Sequence, residues 1–239
     1  MKRLAGFAVA ALSLIAGASP SLAQDDTSGA NQLDGWYATL GSGFVSPQTP
    51  SANTTVNGTA ITGSLEQNLA YSGEVGFGYD FGAIRTEFTY GYTPISSKNW
   101  KASWNGGNLS APLSTNYNIS SFLFGAYYDI KTDSKFTPYI GGAIGPGAVS
   151  VPSISASVND ISVSTVSSTE GVFAYQAKAG ISYAASKEAD LFVEAGYLGT
   201  SSTSVNAVAA GSGNTVSPIT IGGNGGFLAK LGFRYRFGK

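Results

Sequence analysis

The chain lacks the side chains on which most enzyme chemistry depends. Its 239 residues include no His and no Cys, so neither a Ser-His-Asp triad, nor a Cys nucleophile, nor a typical zinc site can be assembled. Glu74 and Glu87 are a pair of carboxylates that could act as acid and base, but the nearby Arg85 makes ion pairing the better interpretation. The sequence therefore predicts a protein that is not an enzyme and has no cofactor and no metal.

Two glycine-rich runs also fail to predict a ligand site. Residues 76–82 and 141–147 lack the dinucleotide-binding spacing at a strand-to-helix junction, so they do not indicate a phosphate cradle. The chain carries 13 Lys and Arg against 14 Asp and Glu. Because nucleic acid binding requires a basic surface, this balance argues against a nucleic acid partner.

The first residues predict export. Lys2 and Arg3 precede a short apolar run that ends in the small residues of 21–23, which is typical of a signal peptide cleaved after Ala23. The apolar run is shorter than the ~20 residues that a spanning helix needs. We therefore expect a signal peptide at 1–23, a short polar lead at 24–34 and one domain at 35–239.

The last segment, 226–237, alternates strictly between two kinds of side chain. One set is apolar and the other contains the cations Lys230, Arg234 and Arg236, which is the period of a β-strand. The apolar set comprises Phe227, Ala229, Leu231, Phe233, Tyr235 and Phe237. In a transmembrane barrel the apolar side faces lipid and the polar side faces the lumen.

Seven earlier segments have a similar alternation. The eight predicted strands are 35–45, 69–79, 84–93, 117–130, 136–145, 172–183, 190–199 and 226–237. The connections between them alternate long and short, and the long ones are 46–68, 94–116, 146–171 and 200–225. This pattern predicts an all-β, eight-stranded antiparallel up-and-down transmembrane β-barrel with short periplasmic turns and long extracellular loops. Residues 151–166 are interpreted as loop. The alternative, that they form a hairpin above the barrel, is left open.

The alternation places eight charged residues on the inward face. They are Glu74, Arg85, Glu87, Lys178, Glu194, Lys230, Arg234 and Arg236. They could line a pore, or they could form a network of ion pairs that fills the lumen. Side chains roughly fill an eight-stranded barrel, and buried charges must be paired. These arguments favour the filled lumen.

Trp100 and Trp104 stand out in the second long loop, beside Lys98 and Lys101. Loop aromatics next to cations could form a contact surface for an extracellular ligand, or could cap the mouth of the barrel. Both interpretations stay open.

Three segments resemble the surface-antigen family of OmpA-like, eight-stranded outer-membrane β-barrels. They are TPYIGGAIG at 137–145, FAYQAKAGISY at 173–183 and the final strand that ends in Phe237. The resemblance implies that Phe237, with Tyr235 and Phe233 behind it, belongs to the signal read by the outer-membrane assembly machinery. It also implies a location in the outer membrane of a Gram-negative bacterium.

We therefore expect a non-enzymatic outer-membrane surface protein that presents its loops, as an adhesin or surface antigen. The alternative is a narrow pore for small polar solutes. The expected partners are outer-membrane lipid, the assembly machinery and an extracellular ligand that the sequence does not identify.

Overall fold

The computed structural model describes residues 34–153, 155–158, 161–210 and 216–237. In these residues the chain forms fifteen strands: β1 (Gly35–Pro47), β2 (Ser51–Val56), β3 (Thr59–Gln67), β4 (Ala70–Asp80), β5 (Ile84–Trp104), β6 (Gly107–Asp129), β7 (Phe136–Val151), β8 (Ser155–Val158), β9 (Ile161–Thr165), β10 (Ser168–Ala184), β11 (Ala189–Thr200), β12 (Thr203–Val205), β13 (Ala207–Ala210), β14 (Ile219–Ile221) and β15 (Gly225–Arg236). None of the described residues belongs to a helix that could cross a membrane. The predicted signal peptide lies outside the described residues.

Eight of the strands pair antiparallel in a closed ring. The order is β1, β4, β5, β6, β7, β10, β11 and β15. The last strand then pairs with the first, from Tyr37 opposite Arg236 to Pro47 opposite Gly226. The predicted all-β, eight-stranded antiparallel barrel is therefore confirmed.

The short connections lie together at one end of the ring. They span 81–83, 130–135 and 185–188. Gly35 pairs with Asp80 beside the first of these turns, and Arg236 pairs with Tyr37 at the same end. In outer-membrane barrels short turns and both termini face the periplasm, so the opposite end is extracellular.

The outward face is apolar because every second residue of the ring strands is apolar. Leu40, Phe88, Phe124 and Leu231 are all more than half exposed on this face, as expected for side chains that contact lipid. Lys230, adjacent to Leu231, is buried instead. The predicted register of the last strand is therefore confirmed.

The prediction that the four long connections are loops is wrong for much of their length. β2 and β3 form a hairpin in the first connection, and β5 and β6 continue to a turn at 105–106 in the second. The Asn-Gly pairs at 57–58 and 105–106 were the missed signal, since Asn-Gly between alternating residues is a strong hairpin signature. Asn57 and Gly58 both adopt positive φ, 47° and 80°, as a type I′ turn requires.

Two sheets extend from the extracellular end. β12, β14, β2 and β3 continue the ring sheet alongside the upper part of β5. β8, β9 and β13 form a separate three-stranded sheet. The pairing of β8 with β9 shows that a hairpin does form within 151–166, a point that the sequence left open; residues 154, 159 and 160 lie outside the described residues.

Candidate functional site: the filled lumen and the extracellular tryptophan pair

The interior of the ring contains a layer of paired charges, called here the charged layer. It consists of five basic and six acidic side chains, all buried: Arg85, Lys178, Lys230, Arg234, Arg236, Glu74, Asp80, Glu87, Asp129, Asp190 and Glu194. The eight residues that the sequence placed on the inward face are all among them. Because the two signs nearly balance, the layer is not a ring of one charge such as selects ions in a channel.

Carboxylate and guanidinium groups meet near the periplasmic end. Arg236 contacts Asp190 at 2.6 Å and Asp80 at 3.3 Å. Arg234 contacts the same Asp190 oxygen at 3.1 Å. These contacts join β15 to β11 and to β4, so they tie together strands on both sides of the β1–β15 pairing.

Arg85 is held by a carboxylate and by aromatic rings. Its Nε donates a hydrogen bond to Asp129 Oδ2 at 2.6 Å. The guanidinium carbon lies 4.9 Å from the ring centroid of Tyr139 and 5.3 Å from that of Tyr127. Such cation–π contacts stabilise a buried cation more than an exposed one.

Two lysines and two glutamates form the centre of the charged layer. Lys178 Nζ lies 2.8 Å from Glu74 Oε1 and 3.3 Å from Glu194 Oε1. Lys230 Nζ contacts the other oxygen of Glu74 at 2.9 Å. Tyr139 donates its hydroxyl proton to Glu194 Oε2 at 2.9 Å. Each lysine therefore shares its charge with at least one buried carboxylate.

The sequence interpretation missed Asp80, Asp129 and Asp190. The last two occupy inward positions in the alternation that placed Tyr128 and Leu191 outward, so the same rule would have found them. Asp80 was assigned to a turn, although it ends β4.

The charged layer leaves little space. A cavity of about 10 Å³ remains beside Glu87, Tyr127, Lys178 and Glu194. One water molecule needs roughly this volume. The described part of the lumen is therefore filled by side chains at this level.

Above the charged layer, toward the extracellular end, three apolar clusters lie in the interior beside buried neutral polar side chains such as Ser72, Thr93 and Gln176. These clusters, called here the apolar layer, consist of Val45, Ala70, Ile95, Tyr117, Ile119, Leu123, Ala143, Val149, Val172, Ala174, Leu198 and Leu228. The sequence analysis named only the charged residues of the inward face, so this apolar layer is an addition from the structure. At its upper edge Tyr117 donates a hydrogen bond to Asn224 Oδ1 at 2.8 Å and accepts one from Gln67 at 2.5 Å.

Trp100 and Trp104 lie on β5 where it extends above the barrel, not on a loop as predicted. They stand opposite Leu65 and Ile61 of β3, and paired residues of an antiparallel sheet point to the same side. Leu65 packs against the apolar layer. The two tryptophans therefore continue the inner surface of the barrel upward, and both are half-buried.

Polar groups occupy the other face of this extension. Lys101 forms an ion pair with Glu66, and Asn99 donates a hydrogen bond to Glu66 Oε2 at 2.9 Å. The hydrogen bond from Asn99, together with the contact with Lys101, lowers the pKa of the Glu66 carboxyl below its ordinary value.

The last strand places its three predicted signal residues outward. Phe233, Tyr235 and Phe237 are all exposed on the lipid side. The amide of Phe237 donates to Trp36 O at 2.9 Å, which extends the pairing of the last strand with the first. Their role as an assembly signal stays a prediction.

A family model described as surface antigen matches residues 45–224. The chain belongs to the surface antigen family. No curated protein matches it. The fold and the family together show that this surface antigen is an outer-membrane β-barrel surface protein of a Gram-negative bacterium.

Solved structures share the fold of this surface antigen at low identity. OprG from Pseudomonas aeruginosa is 16% identical with a TM-score of 0.52, over 86% of this chain and 97% of that one. The outer membrane protease OmpT from Escherichia coli is 11% identical with a TM-score of 0.50, over 85% and 97%. Neisserial surface protein A is 20% identical with a TM-score of 0.45, over 84% and 97%. The likeness to OprG and OmpT shows the fold alone.

Proposed function

We propose that this surface antigen is a closed, non-catalytic barrel that holds an extracellular β-sheet at the cell surface for contact with ligands outside the cell. The observation that carries the proposal is the filling of the lumen by two layers of different chemistry. The charged layer occupies the periplasmic half and the apolar layer lies above it.

The two layers oppose passage of polar solutes for different reasons. A solute in the charged layer must displace ion pairs such as Lys178 with Glu74, which leaves buried charges without partners. A polar solute in the apolar layer loses most of its hydration and meets only a few neutral polar groups such as Ser72 and Gln176, and incomplete replacement of its hydrogen bonds costs free energy. A narrow pore for small polar solutes, the alternative drawn from the sequence, would need both layers to open.

Absence of catalysis is supported by composition and by contacts. The whole chain lacks His and Cys. The candidate acid and base, Glu74 and Glu87, are engaged with Lys178, Lys230, Arg85 and Tyr37. Carboxylates held in this way serve to pair cations.

The extracellular sheet is the part available for contact. β5 runs for eleven residues beyond Thr93, to Trp104, which corresponds to about 36 Å of strand at ~3.3 Å per residue. Charged side chains are few on this side, and residues 200–225 contain none. We therefore assign the display of ligand-binding surface to the extension and the anchoring role to the ring.

Single-cysteine labelling tests the proposal, because the native chain has no Cys to interfere. A membrane-impermeant maleimide should label Ser103→Cys on intact cells, and Asp133→Cys only after the outer membrane is permeabilised, since these residues are exposed at opposite ends. Ser121→Cys, buried inside the ring, should stay unlabelled in both cases. Labelling of Ser121→Cys from outside would refute the closed barrel, and failure to label Ser103→Cys would refute the display of the extension.

A further inference from the structure

We propose that the extension of β5 and β6 carries a binding site for neutral oligosaccharides, built on the indole rings of Trp100 and Trp104. The inference deepens the proposed function, because it requires the extension to lie outside the cell. It names the chemistry of the ligand that this surface would contact.

The two indoles share one face of one strand. They are four residues apart on β5, so their side chains point to the same side. At ~3.3 Å per residue their Cα atoms are about 13 Å apart along the strand. Several linked pyranose rings span such a distance, whereas a monosaccharide would reach only one indole.

Glycines let the indoles approach the backbone. A Cβ added at Gly107 would lie 3.1 Å from Cζ2 and 3.4 Å from Cε2 of Trp104. A Cβ added at Gly63 would lie 3.2 Å from Nε1 of Trp100. Both indoles therefore lie against the sheet at positions where the neighbouring residue has no side chain.

Each indole combines an apolar face with one donor. The indole N–H of each tryptophan is a donor without acceptor capacity. A pyranose ring presents a face of C–H groups and an edge of hydroxyls, which match the ring face and the N–H of an indole. Binding sites of this kind combine aromatic surface with a few polar groups.

The charge distribution selects a neutral ligand. Ile61, Leu65 and Ala102 surround the indoles on their face. Lys101 and Glu66 lie on the opposite face, where they neutralise one another. Lys98 also acts on the Glu66 carboxylate. Among the described residues that pair on the face of the two rings none is a cation, so a polyanion such as a sulfated glycan or a phosphorylated headgroup would meet no opposite charge on that face.

Tryptophan fluorescence of the refolded barrel tests the site. The chain has three Trp, so Trp36→Phe leaves Trp100 and Trp104 as reporters. The probes are neutral hexasaccharides of β-linked glucose and of N-acetylglucosamine, with a heparin hexasaccharide as the anionic control. We expect a saturable change in emission with at least one neutral probe and none with the anionic one. In the same background Trp104→Ala should weaken binding by about tenfold, as loss of one stacking contact would.

Two further variants separate the site from a folding defect. Trp104→Phe keeps an aromatic face and should retain most of the affinity. Lys101→Gln, on the opposite face, should leave it unchanged. The absence of a saturable response to either neutral probe would overturn the proposal, as would a response to heparin that Lys101→Gln removes. Neither result would alter the cysteine labelling, so the labelling experiment tests the display of the extension independently of the oligosaccharide site.

Discussion

Lys178 and Glu74 form an ion pair across the lumen, with Nζ of the lysine 2.8 Å from Oε1 of the glutamate. They lie on β10 and β4, which are four places apart around the eight-strand ring in either direction. The same glutamate accepts a hydrogen bond from Lys230 at 2.9 Å. One carboxylate thus connects three strands through the interior, in addition to the hydrogen bonds between neighbouring strands.

Removal of the central lysine should destabilise the barrel strongly. Lys178→Met leaves Glu74 with one partner fewer and deprives Glu194 of its lysine contact, and breaking a buried pair costs about 3–5 kcal/mol. Urea unfolding in lipid vesicles measures the change. Lys187→Met, exposed in a short turn, is the control and should cost little. Equal losses for the two variants would show that the central ion pairs do not contribute.

The register of the last strand predicts a large effect at Leu231, which is 68% exposed on the lipid side. Arg at mid-membrane on that face costs about 2–4 kcal/mol, so Leu231→Arg should lower the free energy of unfolding in bilayers by that order. Leu231→Met keeps the volume and should be nearly neutral. Lys230→Arg keeps the charge in the lumen and should change little. If Lys230→Arg were the more damaging of the two Arg variants, the inward and outward assignments would be reversed.

Gly43 lies where the first and last strands approach each other closely. A Cβ there would lie 2.0 Å from Ala229 O and 2.6 Å from Lys230 Cα. Gly43→Ala should therefore strain the pairing that closes the ring, by about 1–3 kcal/mol as for other overpacked sites. Gly171→Ala is the matched control, because a Cβ there meets nothing within 4 Å. Loss of heat-modifiable gel migration checks closure, and a barrel of normal stability from Gly43→Ala would contradict the close approach of β1 to β15.

Acid should loosen the contacts of Glu66 in the extracellular extension. Its pKa is lowered in the folded state, so its contribution to stability is present above the ordinary value of 4.5 and is lost as the pH falls through the lowered pKa. Carboxyl NMR titration should place the Glu66 pKa below that value. Asn99→Ala and Lys101→Gln should each raise it. A Glu66 that titrates at its ordinary value in the native protein would rule out these contacts in solution.

Alternation predicted the ring well because membrane and lumen impose opposite demands on successive residues. Leu231 and Lys230 were assigned correctly since one contacts lipid and the other pairs with Glu74. The same rule covers Asp129 and Asp190, whose partners Arg85 and Arg234 lie on other strands. Which charges pair could not be predicted, because the contacts depend on how the strands are staggered around the ring.

The extracellular half was harder to predict because no lipid imposes alternation there. Trp100 was assigned to a loop, although β5 continues through it in partnership with β3. The many Ser and Thr residues in these segments suggested irregular structure. The Asn57-Gly58 pair, which indicates a hairpin turn, was not used in the prediction. The alternation places Leu228 inward together with Lys230, but no apolar layer was inferred from it, because only the charged residues of the inward face were considered.

Single-channel recording of the refolded protein in planar bilayers tests the closed lumen most directly. The two layers predict no steady open level for the native chain. Ile119→Ser with Val149→Ser, which makes the apolar layer polar, should raise the frequency of brief openings, while Phe124→Ser on the lipid side should not. A steady, ion-selective conductance in the native protein, with a selectivity that Lys178→Gln changes, would contradict the closed barrel.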